Sequence, residues 1–267
     1  MSINGIFNCI AVTCLIVLCA AQSAYCKSDD KALDLIREVV ESVGGVDNLR
    51  AKKDVEYVYV VKGKSGKMDI SVEKYIFDGE LSRGEYYVHE NNVLPDKKGE
   101  VVEGYDGKSS WTTLNGKELF DADAKKRADF IRKTNYYWFT MMFKLLDPGT
   151  NHQYIGIRNV DGINYQIVKM TFDQGTGDAS DTYLLYINPD THLIDRFLFT
   201  VMDFNVTQPN LMIVNYRKYG NILLPVYRKY TKADWEGNIK STRWTQEICV
   251  NPEFNNGFKT EVFEKPE

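Results

Sequence analysis

The stretch Thr182-Tyr-Leu-Leu-Tyr-Ile-Asn-Pro-Asp-Thr-His-Leu-Ile-Asp-Arg-Phe-Leu-Phe-Thr-Val-Met-Asp203 decides the fold. Two apolar runs flank Asn188-Pro189-Asp190, a turn sequence, so the segment reads as two antiparallel strands. Both runs are apolar on both faces rather than on one. Tyr183, Leu185 and Ile187 alternate with Leu184 and Tyr186. Phe197, Phe199 and Val201 alternate with Ile194, Leu198 and Met202. A sheet with one wet face shows polar residues on alternate positions, so both faces of these strands must be covered.

Working outward, period two dominates. Toward the C-terminus, Leu211 to Tyr219, Ile222 to Thr231, Ile239 to Val250 and Lys259 to Phe263 read as strands. Toward the N-terminus, Tyr154 to Val160 and Ile163 to Phe172 do so, joined by Asp161-Gly162. Earlier still come Val55 to Lys62, Met68 to Phe77, Leu81 to His89, Val101 to Tyr105 and Ser109 to Leu114, with a polar loop at Asn91 to Gly99. Short connections favour sequential antiparallel pairing. The expected fold class is mainly antiparallel β with α (α+β), about a dozen strands in one meander.

Two helical patterns interrupt the strands. Leu33, Ile36, Val39, Val40 and Val43 recur at helical spacing between Asp29 or Asp30, possible caps, and Gly44-Gly45, a stop. A short helix is expected over Val46 to Ala51. The long interruption is Asp121 to Leu146, halted by Asp147-Pro148-Gly149. Its second half carries Tyr136, Tyr137, Trp138, Phe139, Met141, Met142 and Phe143 around the helix rather than along one stripe. Such a helix is either a central buried element or a lid over an apolar cavity.

The first 26 residues hold no charged side chain. Ile10 to Ala21 is apolar except for Thr13, too short to span a bilayer, and small residues follow it. This reads as a secretory signal peptide over residues 1–26, with a single domain over 27–267. Four of the five cysteines lie in or beside the leader, and Cys249 remains as a small core residue. Cys19 and Cys26 fit a lipidation sequence poorly, so a soluble periplasmic or secreted form is favoured over a lipid-anchored one.

Net charge is −4 with 43% hydrophobic and 26% charged residues, an ordinary globular balance that argues against a nucleic-acid surface. His89, His152 and His192 share no metal spacing, and no nucleophile elbow, phosphate loop or dinucleotide fingerprint occurs. The expectation is therefore no enzyme, no cofactor and no metal. Arg196 is the oddest charge, read either as a ligand anchor or as the partner of Asp195 or a cross-strand acid.

Several stretches carry a family resemblance. Ala32 to Tyr59 resembles the opening of bacterial envelope proteins related to the outer-membrane lipoprotein-sorting carrier, the LolA-like superfamily. Phe143-Lys-Leu-Leu-Asp-Pro-Gly149, Thr182 to Ile187, Gly220-Asn-Ile-Leu-Leu-Pro225 and Val262-Phe-Glu-Lys-Pro266 are similar to an uncharacterised branch of it. The resemblance implies an incomplete, strongly curved β-barrel covered by helices, with a lipid or acyl chain on its concave face and envelope lipoproteins as possible partners. A pigment-pathway relative does cofactor-free chemistry on the same fold, so the resemblance leaves open an enzyme on a small hydrophobic substrate, or a ligand-free interaction module. If a ligand binds, the apolar surfaces place it between Tyr183, Phe197 and Phe199 on the sheet and Trp138, Met141 and Met142 on the helix. A monomer is expected.

Overall fold

The computed structural model describes residues 28–173, 175 and 180–266, so the signal-peptide segment lies outside the described residues. Helices α1 (Asp30–Ser42) and α2 (Val46–Arg50) precede β1 (Asp54–Lys62), β2 (Met68–Ile76), β3 (Leu81–His89), β4 (Val101–Tyr105), β5 (Ser110–Leu114) and β6 (Lys117–Glu118). Helix α3 (Ala122–Lys144) follows. Then come β7 (Thr150–Val160), β8 (Ile163–Phe172), β9 (Tyr183–Ile187), β10 (Ile194–Val201), β11 (Val206–Tyr219), β12 (Ile222–Lys232) and β13 (Thr245–Phe254).

All strands lie in one open, curved, antiparallel sheet in the order β6-β5-β4-β3-β2-β1-β13-β12-β11-β10-β9-β8-β7. Two sequential meanders are thus fused where β1 pairs with β13, for example Tyr59 opposite Cys249. The fusion places the two ends of the folded chain at the middle of the sheet and leaves β6 and β7 as its edges. The segment joining β6 to β7 is α3. Its 23 residues reach roughly 35 Å and, with the loops at either end, carry the chain from one edge of the sheet to the other.

Local chemistry explains the helix ends. The Asp29 side chain accepts from the Ala32 amide at 2.7 Å and caps α1, and Asp121 caps α3 through the Ala124 amide at 2.8 Å. Gly44 ends α1 at φ +108°, and a Cβ there would collide with the backbone carbonyl oxygen of Asn221. The Leu223 amide donates to the Val43 carbonyl in the same contact. This turn therefore docks α1 on the β11–β12 hairpin.

The main core lies between the inner face of the sheet, α1 and α3. A second cluster covers the outer face of β8–β11, where Tyr165, Ile167, Leu184, Tyr186, Leu198 and Leu211 pack with Ala233 and Trp235. Both faces of β9 and β10 are apolar for this reason: one faces the main core, and the other faces the β12–β13 connection folded back over the sheet. Arg158 pins that connection by donating to the Trp235 carbonyl at 2.7 Å and the Tyr186 hydroxyl at 2.9 Å.

Two expected strands differ. Residues expected to begin a strand at Ile239 belong to the covering connection, so β13 starts at Thr245. The Asp234 carboxylate accepts from the Glu236 and Asn238 amides and turns the chain there. Lys259 to Phe263, expected as a strand, forms a 3-10 turn at Thr260–Phe263. The Asp54 carboxylate accepts from the amides of Asn256, Gly257 and Phe258 and draws this tail off the sheet, and Phe263 buries itself with its carbonyl accepting from Trp111 Nε1 at 2.9 Å. Ile194 also changes sides. The register shifts between Ile194 and Arg196, so Ile194 joins the main core with Phe197 and Phe199.

Gly44→Ala should lower stability by more than 1 kcal/mol, since it adds both a left-handed backbone penalty and a backbone collision. Urea denaturation measures this, and a neutral result would show that α1 is not held through this turn.

Candidate functional site

The inner face beneath α3 divides into two halves of opposite character. The C-terminal half of α3 lies on an aromatic wall. Trp138 stacks on Phe197 with ring centres 5.7 Å apart and meets Phe199 edge-on at 5.3 Å and Tyr183 at 6.4 Å. Tyr183 in turn stacks on Phe199 at 6.4 Å. Met141 and Met142 are buried in the same core. Trp138, Tyr183, Phe197 and Phe199 are thus in ring contact, Met141 and Met142 belong to the same core, and all six residues expected to line a ligand site are buried, with Trp138 the most exposed at 8%.

The N-terminal half of α3 lies on a polar wall. Arg132, on α3, is 0% exposed, as is Glu73 on β2. Arg132 Nη1 donates to Glu73 Oε2 at 2.7 Å and Nη2 to Glu73 Oε1 at 3.1 Å, a two-pronged pair. Nη2 also reaches the Tyr86 hydroxyl at 2.5 Å, and Nε lies 3.6 Å from Glu103 Oε2 on β4. Ser71 and Tyr75 donate to Glu73, and Tyr75 meets the Tyr57 hydroxyl at 2.8 Å. Gly84 on β3 makes room for the cation, because a Cβ there would sit 2.5 Å from Arg132 Nη1. Glu103 Oε1 and Thr112 Oγ1 are buried without a hydrogen-bond partner, and these two residues are direct cross-strand neighbours.

Burial and the Glu73 charge push the Glu103 carboxyl up to about 7, against the pull of Arg132, Arg127 and Tyr86. Arg132 is held well above its ordinary value: burial opposes its charge, but the Glu73 and Tyr86 contacts outweigh it. A second buried arginine holds the aromatic half of α3. Arg228 on β12 pairs with Glu247 at 2.8 Å, takes the Tyr59 hydroxyl at 3.0 Å and donates to the Trp138 carbonyl at 2.5 Å. Helix α3 is thus clasped at both halves by buried guanidinium groups.

None of these five charged residues was singled out in the sequence, because the parity of β2 misleads. Its buried face is Asp69, Ser71, Glu73 and Tyr75, whereas Ile70, Val72 and Ile76 are only half-buried. The signal that would have found the cluster is on the helix: Arg132 continues the buried series Ala124, Ala128 at steps of four. Arg196, by contrast, lies beside the Tyr165 ring and reaches Asp161 at 3.5 Å, an exposed acid in the β7–β8 turn rather than Asp195 or a cross-strand residue. Cys249 is buried and its thiol is pushed up to about 12 by burial. His152 is buried, which lowers it to about 4, and His192 pairs with Glu38 at 3.0 Å. Two open clefts, of about 380 and 400 Å³, lie elsewhere, around Asp78, Asp106 and Glu264 and around Glu38 and His192.

The comparisons agree with this architecture. A family of unknown function, DUF6503, matches residues 97–218, a span that includes α3. No curated protein matches the chain in sequence. The fold is that of a LolA superfamily protein from Nitrosomonas europaea (TM-score 0.52, 10% identity, 88% of this chain and 97% of the other). It is equally that of a putative outer membrane lipoprotein-sorting protein domain from Vibrio parahaemolyticus (TM-score 0.51, 11% identity, 88% and 97%). A DUF1329 family protein from Desulfovibrio piger shares it too (TM-score 0.51, 16% identity, 88% and 98%). Among the described residues, no helix is long and apolar enough to cross a membrane.

Arg132→Met should destabilise the fold by about 3–5 kcal/mol, because it leaves Glu73 buried and uncompensated. Adding Glu73→Gln to it should recover part of that loss, read by urea denaturation of the single and double variants.

Glu103 makes a pH prediction. Its folded value of about 7 lies above the ordinary 4.5. Between those values the folded form holds a proton that the unfolded chain has released, so stability falls as pH rises, by about 3 kcal/mol in all. Glu103→Gln should flatten that fall between pH 5 and pH 8, and an unchanged slope would remove Glu103 as its source.

Proposed function

We propose that this is an exported, non-enzymatic envelope protein that binds or carries a lipid or acyl chain between α3 and the inner face of its sheet. The chain enters where Trp138, Met141 and Met142 meet Tyr183, Phe197 and Phe199, and α3 shifts to admit it. The observation that carries this reading is the contact itself. An open sheet of lipoprotein-sorting type is covered, over its aromatic wall, by a Met- and aromatic-rich segment of one edge-to-edge helix. Methionine and aromatic surfaces repack around varied apolar partners at small cost. Removal of a leader ending near Cys26 leaves a chain that starts just before α1, in keeping with export.

A second reading has its own support. The same six side chains are buried in one core, which suits a ligand-free module with a solid interior. One experiment separates the two. Protein expressed from the full reading frame and recovered from the envelope fraction is weighed by native mass spectrometry, then melted with and without a monoacyl lipid. The carrier reading predicts a new N-terminus between residues 22 and 28, co-purified lipid, and a higher Tm on adding lipid. It further predicts that Trp138→Ala, at about 3–5 kcal/mol of stability, loses most of the lipid-induced Tm rise. Absence of lipid and of any Tm rise favours the solid module.

A further inference from the structure

We infer that the ligand is a cationic amphiphile, with an amine or guanidinium head that takes the place of Arg132 between Glu73 and Glu103. The inference deepens the acyl-chain reading and rests on it. Arg132 and Trp138 belong to one continuous helix, six residues and about 9 Å apart. A ligand that lifts the aromatic half off its wall therefore draws the guanidinium out of the polar one. What remains on the sheet is two carboxylates, Glu73 on β2 and Glu103 on β4, with the Tyr86 and Tyr75 hydroxyls around them. Without a cation this pair is either unfavourably charged or must take up a proton on Glu103, and the occupant that completes it in its ionised form supplies a cation.

Three further features suit a planar or compact cation. Gly84 leaves the floor of the site flat, where any Cβ would meet the guanidinium. Glu103 Oε1 and Thr112 Oγ1 are buried without a partner, and so is Arg132 Nε, so the seated helix and the wall do not satisfy one another's hydrogen-bonding capacity. The other buried arginine, Arg228, is already neutralised by Glu247 at 2.8 Å and donates to the Trp138 carbonyl, and Arg83 on β3 is paired with Glu85 at 2.9 Å, so neither is left to neutralise the Glu73–Glu103 pair. In this account α3 mimics the ligand: an apolar, aromatic stretch with a cation one and a half turns away. An anionic head, such as a bare fatty-acid carboxylate, would face like charges at this end.

Binding of dodecylamine, dodecanol and dodecanoate to the mature chain near neutral pH tests this, since the three share one tail and differ in head charge. The expected order is amine over alcohol over carboxylate, with the amine at least tenfold tighter than the carboxylate. Glu103→Gln, which keeps the Glu73–Arg132 pair, should reduce the preference several-fold. Glu73→Gln and Glu103→Gln combined with Arg132→Met, which leaves no buried charge of this cluster unpaired, should abolish it while dodecanol still binds. Equal binding of the three compounds overturns the cationic head but leaves acyl-chain binding standing. If none binds, the acyl-chain reading itself fails. A preference for amine that survives in both variants assigns it to the acidic surface and rejects this site.

Discussion

The pairing of β1 with β13 is the constraint on which the rest of this molecule depends. It brings the first and last strands of the described residues together at the centre of their thirteen-stranded sheet. The middle of the chain is thereby split between two distant edges, and one connection must cross from β6 to β7. A helix is the economical crossing, because it satisfies its own backbone groups while passing over a surface with no strand to pair with. Helix α3 consequently covers the inner face by topological necessity, and its side chains decide whether that face is sealed or available.

The cover is held in an unusual manner. Apolar packing alone would serve the aromatic half, yet Arg228 reaches up to the Trp138 carbonyl, and the other half is fixed by Arg132 between carboxylates. Buried ion pairs contribute little net stability compared with apolar groups of the same shape, but a missing partner is strongly unfavourable. Such clasps fix one register of α3 sharply and penalise intermediate positions. In the structure α3 is seated with its own cation; the second arrangement, displaced with another cation in its place, is the one we propose. Glu103, pushed up to about 7, sits where the proton and the cation compete.

Most of the architecture is readable from residue order. Strand boundaries such as Leu81 to His89, Val101 to Tyr105 and Ile163 to Phe172 coincide with the period-two runs, and the tight turns between them identify the neighbours. The two apolar faces of β9 and β10 correctly demanded two covers. The identity of the outer one was hidden, because Asp234 to Trp244 carries a β-like pattern from Ile239 onward and covers the sheet through Trp235 and Ala233 instead. The tail past Asn255 departs from its strand-like pattern because Asp54, two hundred residues earlier, captures its amides. Long-range capture of this kind leaves no local trace. The aromatic half of the site was legible because aromatic residues advertise burial. The polar half was not, because Glu73 and Ser71 on a strand ordinarily mark the wet face, and only the arrival of Arg132 from a distant helix reverses that.

The central claim is that α3 opens as a unit while the sheet stays folded. Native-state hydrogen exchange measures this most directly, by comparing the opening free energies of amides in Ala122–Lys144 with those in β1 and β13. The account predicts that the α3 amides share one opening free energy, below that of the two central strands, and that they exchange without exposing them. Exchange of α3 only through global unfolding, at the same free energy as β1 and β13, would contradict it and make the helix a fixed part of a solid core.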